Sequence, residues 1–129
     1  MITEDYVSFE AAKLLKEKGF DEECWTAYTG NNWTYEPPFK NSEFNLDAEK
    51  SFFTIPPLQM AMKWLREEHS IHIKIDCIGA KNYIPTIQFI YSGKDIVVES
   101  NTSKIGGNGF DSNEEACEAA IKYCLENLI

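Results

Sequence analysis

Near residue 70 the hydrophobic period of this chain switches from that of a helix to that of a strand, which constrains the C-terminal fold more than any other feature. Leu58, Ala61, Met62 and Leu65 recur three and four apart, giving one apolar helical stripe. Trp64 widens that stripe, while Lys63, Arg66, Glu67 and Glu68 are left for water. From there Ile71, Ile73, Ile75 and Cys77 alternate with His72, Lys74 and Asp76. A period of two belongs to a sheet with one wet face, so Cys77 is expected on the buried side.

The chain beyond Cys77 completes a unit. Gly79, Ala80, Lys81 and Asn82 mark a turn, and residues 84–91 a second strand. Ser92, Gly93, Lys94 and Asp95 read as a hairpin turn into a third strand over residues 96–99. A glycine-rich connector, residues 105–109, precedes Ser112 and Glu115, which form a capping box. Cys117, Ala120, Ile121, Cys124, Leu125 and Leu128 supply the apolar face of the last helix. Pro56 and Pro57 fit the first turn of the helix before the strands, where a missing N–H does no harm. Residues 56–129 therefore read as an α-β-β-β-α unit.

The N-terminal part, residues 1–55, is less regular. Ser8 is a good N-cap for a helix whose apolar face is Ala11, Ala12, Leu14 and Leu15. Gly19 should end it in the left-handed conformation, with Phe20 folding back on Leu15. Residues 24–29 and 33–36 are β-prone around Gly30, Asn31 and Asn32, a tight hairpin connection. Pro37 and Pro38 should stop the second strand, and residues 39–50 read as an ordered loop. The expected fold is α+β: a two-layer sandwich with helices on one face of an antiparallel sheet, in a single domain of 129 residues.

Charge narrows the function. With 12 basic and 21 acidic side chains the net charge is −9, which repels nucleic-acid phosphates and anionic membranes. No segment is long and apolar enough to span a bilayer, so no membrane partner is expected. The first residues lack the basic flank and apolar core of a secretory signal, which points to the cytoplasm. The four cysteines then read as buried free thiols rather than disulfides.

Two resemblances add to this reading. Residues 6–20 (YVSFEAAKLLKEKGF), 57–69 (PLQMAMKWLREEH) and 111–129 (DSNEEACEAAIKYCLENLI) are similar to a family of small uncharacterised proteins of gut bacteria and their phages or prophages. That similarity implies an accessory protein of a mobile element and carries no catalytic residues. The order of elements over residues 56–128 resembles the double-stranded-RNA-binding domain. Residues 86–99 look like its middle hairpin, and Ser112 to Ala116 with Ala119, Ala120 and Leu125 like its last helix. In RNA binders basic residues at that helix start grip phosphates. Asn113, Glu114, Glu115 and Glu118 stand there instead, and they would repel phosphate.

No catalytic, cofactor or metal motif is legible. His69 and His72 straddle a helix end and a strand, not the helical spacing that aims two imidazoles at one zinc. Gly93-Lys94 lacks the rest of a phosphate-binding loop. The distinctive set is aromatic: Trp25, Tyr28, Trp33, Tyr35, Phe39, Phe44, Phe52 and Phe53. These either complete the core or leave part of the hairpin as a partner surface, for which Trp25, Tyr28, Asn31, Asn32, Trp33 and Tyr35 are the candidates. The expected function is a non-enzymatic protein-protein interaction module, binding a host protein or itself as a homodimer. The acidic surface also suits a mimic of nucleic acid that blocks a host DNA-binding protein. The alternatives are a nucleic-acid-binding protein, using Lys63, Arg66, Lys74, Lys81, Lys94 and Lys104, and a small enzyme.

Overall fold

A computed structural model describes residues 5–29, 33–43, 52–79, 81–98 and 109–129; the side chains of residues 29, 33–37 and 43 are outside this description. The protein is α+β, with three helices and two three-stranded antiparallel sheets. It divides into two compact units, Met1–Pro57 and Leu58–Ile129.

In the first unit, helix α1 (Phe9–Glu17) opens on Ser8, whose hydroxyl accepts the Ala11 N–H at 3.1 Å. It closes as the sequence predicts. Gly19 sits at φ +94°, its N–H bonds the Lys16 carbonyl, and the Phe20 N–H returns to the Leu15 carbonyl at 2.9 Å. Only glycine takes that φ without strain, and the reversal buries Phe20 and Leu15 together. Strand β1 (Cys24–Thr29) is central between β2 (Trp33–Phe39) and β3 (Phe52–Thr54).

Two expectations change here. Pro37 and Pro38 do not stop β2, which runs through both of them to Phe39. Cys24 pairs with Phe39 but Thr26 with Tyr35, so β2 bulges across from Trp25. A bulge on an edge strand has no ladder bond to lose, so proline is tolerated. The second change is β3, three residues too short to show a period, which pairs Ala27 with Thr54 and Tyr28 with Phe53.

In the second unit, α2 (Leu58–His69) leads through Ser70 into β4 (Ile71–Cys77), followed by β5 (Tyr83–Phe89), β6 (Asp95–Val97) and α3 (Asn113–Tyr123). This is the expected α-β-β-β-α order. Ser70, at φ +55°, makes the reversal in a single left-handed residue, which is why the period changes so abruptly. Pro56 and Pro57 precede α2 rather than entering it; the Pro56 carbonyl accepts the Val7 N–H instead. Both helices pack on one face of the sheet, α2 against β4, α3 against β4 and β5, and against each other. Ile71, Ile73, Pro85 and Ile87 are buried on that face, under Leu65, Ile121 and Leu125.

The second unit also corrects details. β5 ends at Phe89, because Ile90, Tyr91 and Ser92 form the turn, and β6 ends at Val97. Pro85 explains the short β6: it accepts the Val98 N–H but has none to return. Ser112 caps α3 through the Glu115 N–H as expected, and the chain ends in a π-helical turn, Cys124–Leu128. Gly109 is glycine because a Cβ would stand 3.0 Å from the Asn82 carbonyl carbon. Residues 105–108 of the glycine-rich connector lie outside the described residues.

Candidate functional site

The aromatic hairpin separates into a packed part and an open part. Tyr28 is packed: its ring lies 4.3 Å from Phe9, edge-on, and 5.5 Å from Phe53, while Phe9 and Phe53 are 4.8 Å apart. The edge-to-face contacts of Phe9 with Tyr28 and Phe53 fasten α1 to the sheet, so Tyr28 serves the core first. Trp25 is open, with 61% of its surface in water although it sits on the central strand between buried Cys24 and Thr26. Glu22 and Glu23, both exposed, precede it. Trp33 and Tyr35 are placed in β2 opposite Tyr28 and Thr26, without a description of their side chains. Asn31, Asn32 and Phe44 lie outside the described residues.

Asn41, which no sequence pattern singles out, holds this unit together. Its side chain is buried, donates to the Phe20 carbonyl at 2.7 Å and accepts the Thr54 N–H at 2.9 Å. Lys16 donates to the Phe52 carbonyl at 2.6 Å.

The second unit carries a shallow groove of about 420 Å³, lined by Arg66, His72, Gln88, Phe89, Ile90, Gly93 and Asp95. His72, Gln88 and Asp95 form one row across β4, β5 and β6 on the face away from the helices. Tyr91, at the tip of the adjoining turn, is 90% exposed. An aromatic directly ahead of a Ser-Gly turn is the only sequence signal for this surface.

The thiols divide by environment. Burial pushes Cys24 and Cys117 up to about 11 and Cys124 to about 12, so none is a ready nucleophile near neutral pH. Cys77 departs from expectation. It shares the apolar face of β4, but at the strand's end it is exposed, with its Sγ donating to the Gly79 carbonyl at 3.3 Å. His69 packs edge-on against Trp64 at 4.7 Å. Among the described residues no group of three or more His, Cys, Asp and Glu converges to hold a metal.

Of the basic side chains, two stand far apart and a third is paired. Lys81 precedes β5 and Lys94 stands opposite its last residue, Phe89, about 20 Å away at strand rise, and Lys74 is paired with Asp76 at 3.6 Å. Lys104 lies outside the described residues. Exposed Glu114 and Glu115 occupy the first turn of α3. Among the described residues no helix is long and apolar enough to cross a membrane. No protein-family model matches the chain, and neither a curated protein nor a solved structure matches it.

Proposed function

We propose that the protein is a non-enzymatic interaction module, an acidic accessory protein of a mobile element that works in the cytoplasm by binding a host protein. The observation that carries this reading is Trp25, a large apolar ring held in water on a central strand whose neighbours are buried. Tryptophan anchors interfaces because it removes much apolar area while losing little side-chain entropy. Glu22 and Glu23 beside it, with the net charge of −9, favour a partner whose apolar pocket is rimmed by basic residues. The raised thiols, and the exposed Glu114 and Glu115 in the first turn of α3, support this over the enzymatic and nucleic-acid readings.

Trp25→Ala removes the ring without touching the core, so circular dichroism should be unchanged while a tagged protein loses its captured partner from host lysate. Capture by the native protein should weaken as salt rises. Capture indifferent to Trp25→Ala and to salt overturns the proposal. Tyr28→Ala is the contrasting variant: it should loosen α1 before it affects any surface.

A further inference from the structure

Each sheet has two outer edges, and three of the four are closed to further pairing. β2 carries the bulge with Pro37 and Pro38. β3 and β6 have three residues each. Moreover, two of the outward backbone groups of β3 already have partners, Phe52's carbonyl in Lys16 and Thr54's N–H in Asn41. Such devices are how proteins keep sheet edges from recruiting strands.

β4 has none of them. It is seven residues long, contains no proline, and pairs with β5 in unbroken register from Ile71 to Cys77. The bonds from Ile78 to Asn82 and from Ile90 to Ser70 set the phase of that ladder. Even-numbered residues of β4 bond toward β5, so the N–H and C=O of Ile71, Ile73, Ile75 and Cys77 point to the outer edge. Among the described residues no further strand pairs with that edge.

From this geometry we infer that β4 pairs with β4 of a second copy, antiparallel about a twofold axis through Ile75. The outward-pointing groups allow hydrogen-bonded pairs between odd residues. Centred on Ile75, these are Ile75 with its own copy and Ile73 with Cys77 in both directions. This register alone places Lys74 opposite Asp76 of the other copy twice over, at the closer, non-hydrogen-bonded positions. Centring on Ile73 would instead set His72 against Lys74, and centring on Cys77 would set Asp76 against Ile78. Lys74 and Asp76 are both half in water and lie on the face away from the helices, where the ion pair they make with each other at 3.6 Å can be exchanged for two pairs across the axis. Ile78, now 62% exposed, comes to lie beside His72 of the other copy. The product is a continuous sheet in the order β6-β5-β4-β4-β5-β6 with the helices of both copies on one face. The pairing uses the second unit alone, whereas Trp25 belongs to the first.

Sedimentation of the full chain over a range of concentrations tests the register. The native protein should be a dimer; Lys74→Glu and Asp76→Lys should each weaken association tenfold or more, by setting like charges opposite each other twice. Combining Lys74→Glu with Asp76→Lys should restore the dimer, because the pairs are reversed but still complementary. Circular dichroism confirms that each variant is folded, and Trp25→Ala should leave association unchanged. A native protein monomeric at every concentration, single reversals without effect, or a folded double variant that stays monomeric would each overturn the inference. So would loss of the dimer in Trp25→Ala, which would assign the contact to the hairpin.

Discussion

The outer edges of β3 and β4 present the same backbone chemistry to opposite effect. On β3 the outward carbonyl of Phe52 and N–H of Thr54 are taken by side chains from elsewhere in the unit, Lys16 and Asn41. On β4 the outward groups of Ile71, Ile73, Ile75 and Cys77 have no such partner among the described residues, and the side chains alongside alternate in charge. A sheet edge is thus either finished within the chain or left as a template, and this protein does one in each unit. The difference teaches where to look for self-association: at a regular strand whose outward groups are left without caps.

The strongest way to break the comparison is to reopen β3. Asn41→Ala removes both side-chain bonds from a buried position and should lower stability by about 2–4 kcal/mol, since buried groups are left to find new partners. Urea unfolding monitored by tryptophan fluorescence measures it, with Trp25 and Trp33 in the first unit and Trp64 in the second. A loss below half a kilocalorie, on the order of a surface change, would show that Asn41 is dispensable and β3 closed by something else.

These two edges also explain what was legible in the sequence. β4 announces itself because seven residues alternate without interruption, so the fold of residues 56–129 can be read from periodicity and caps alone. β3 has three residues, and its closure depends on Asn41, 13 residues away, and on Lys16, 36 residues away. No local pattern encodes a bond over such separations. Pro37 and Pro38 misled for a related reason: proline forbids a central strand, and the sequence does not say which strand is at the edge. Trp25 and Tyr28 have the same hairpin signature, yet one is open and one is packed on Phe9, a choice made by tertiary contact.

The thiols give a second contrast. Cys24, near β3, is buried, whereas Cys77, ending β4, is exposed. With a chromogenic disulfide reagent at mildly alkaline pH, one thiol per chain should react at once and the other three only on unfolding. Cys77→Ser should abolish the fast phase; a fast phase surviving it would place the reactive thiol in the core. The buried thiols add a pH dependence. Their folded values lie above the unfolded value of about 8.5, so the folded state holds its protons longer. Their contribution is complete below about pH 8.5, declines as the unfolded chain ionises, and is gone once pH passes the folded values of about 11 and 12. Unfolding midpoints should therefore fall on the alkaline side, and replacing Cys124 by Ala should flatten that fall.

The smallest effect sharpens the comparison most. Lys16→Met keeps the apolar stem of the side chain against the sheet but removes the ammonium that caps the Phe52 carbonyl. The bond is only partly buried, so water can replace the lost donor, and the expected loss is about 1 kcal/mol of unfolding free energy. That carbonyl points along the open side of β3, so the variant differs from the native protein mainly in leaving one acceptor of that edge to solvent. If Lys16 serves to close the edge, amide exchange in β3 and β1 should quicken in Lys16→Met while β4 and β5 exchange as before. If exchange in β1 is unchanged, the lysine acts as a surface charge and the closure of β3 rests on Asn41 alone.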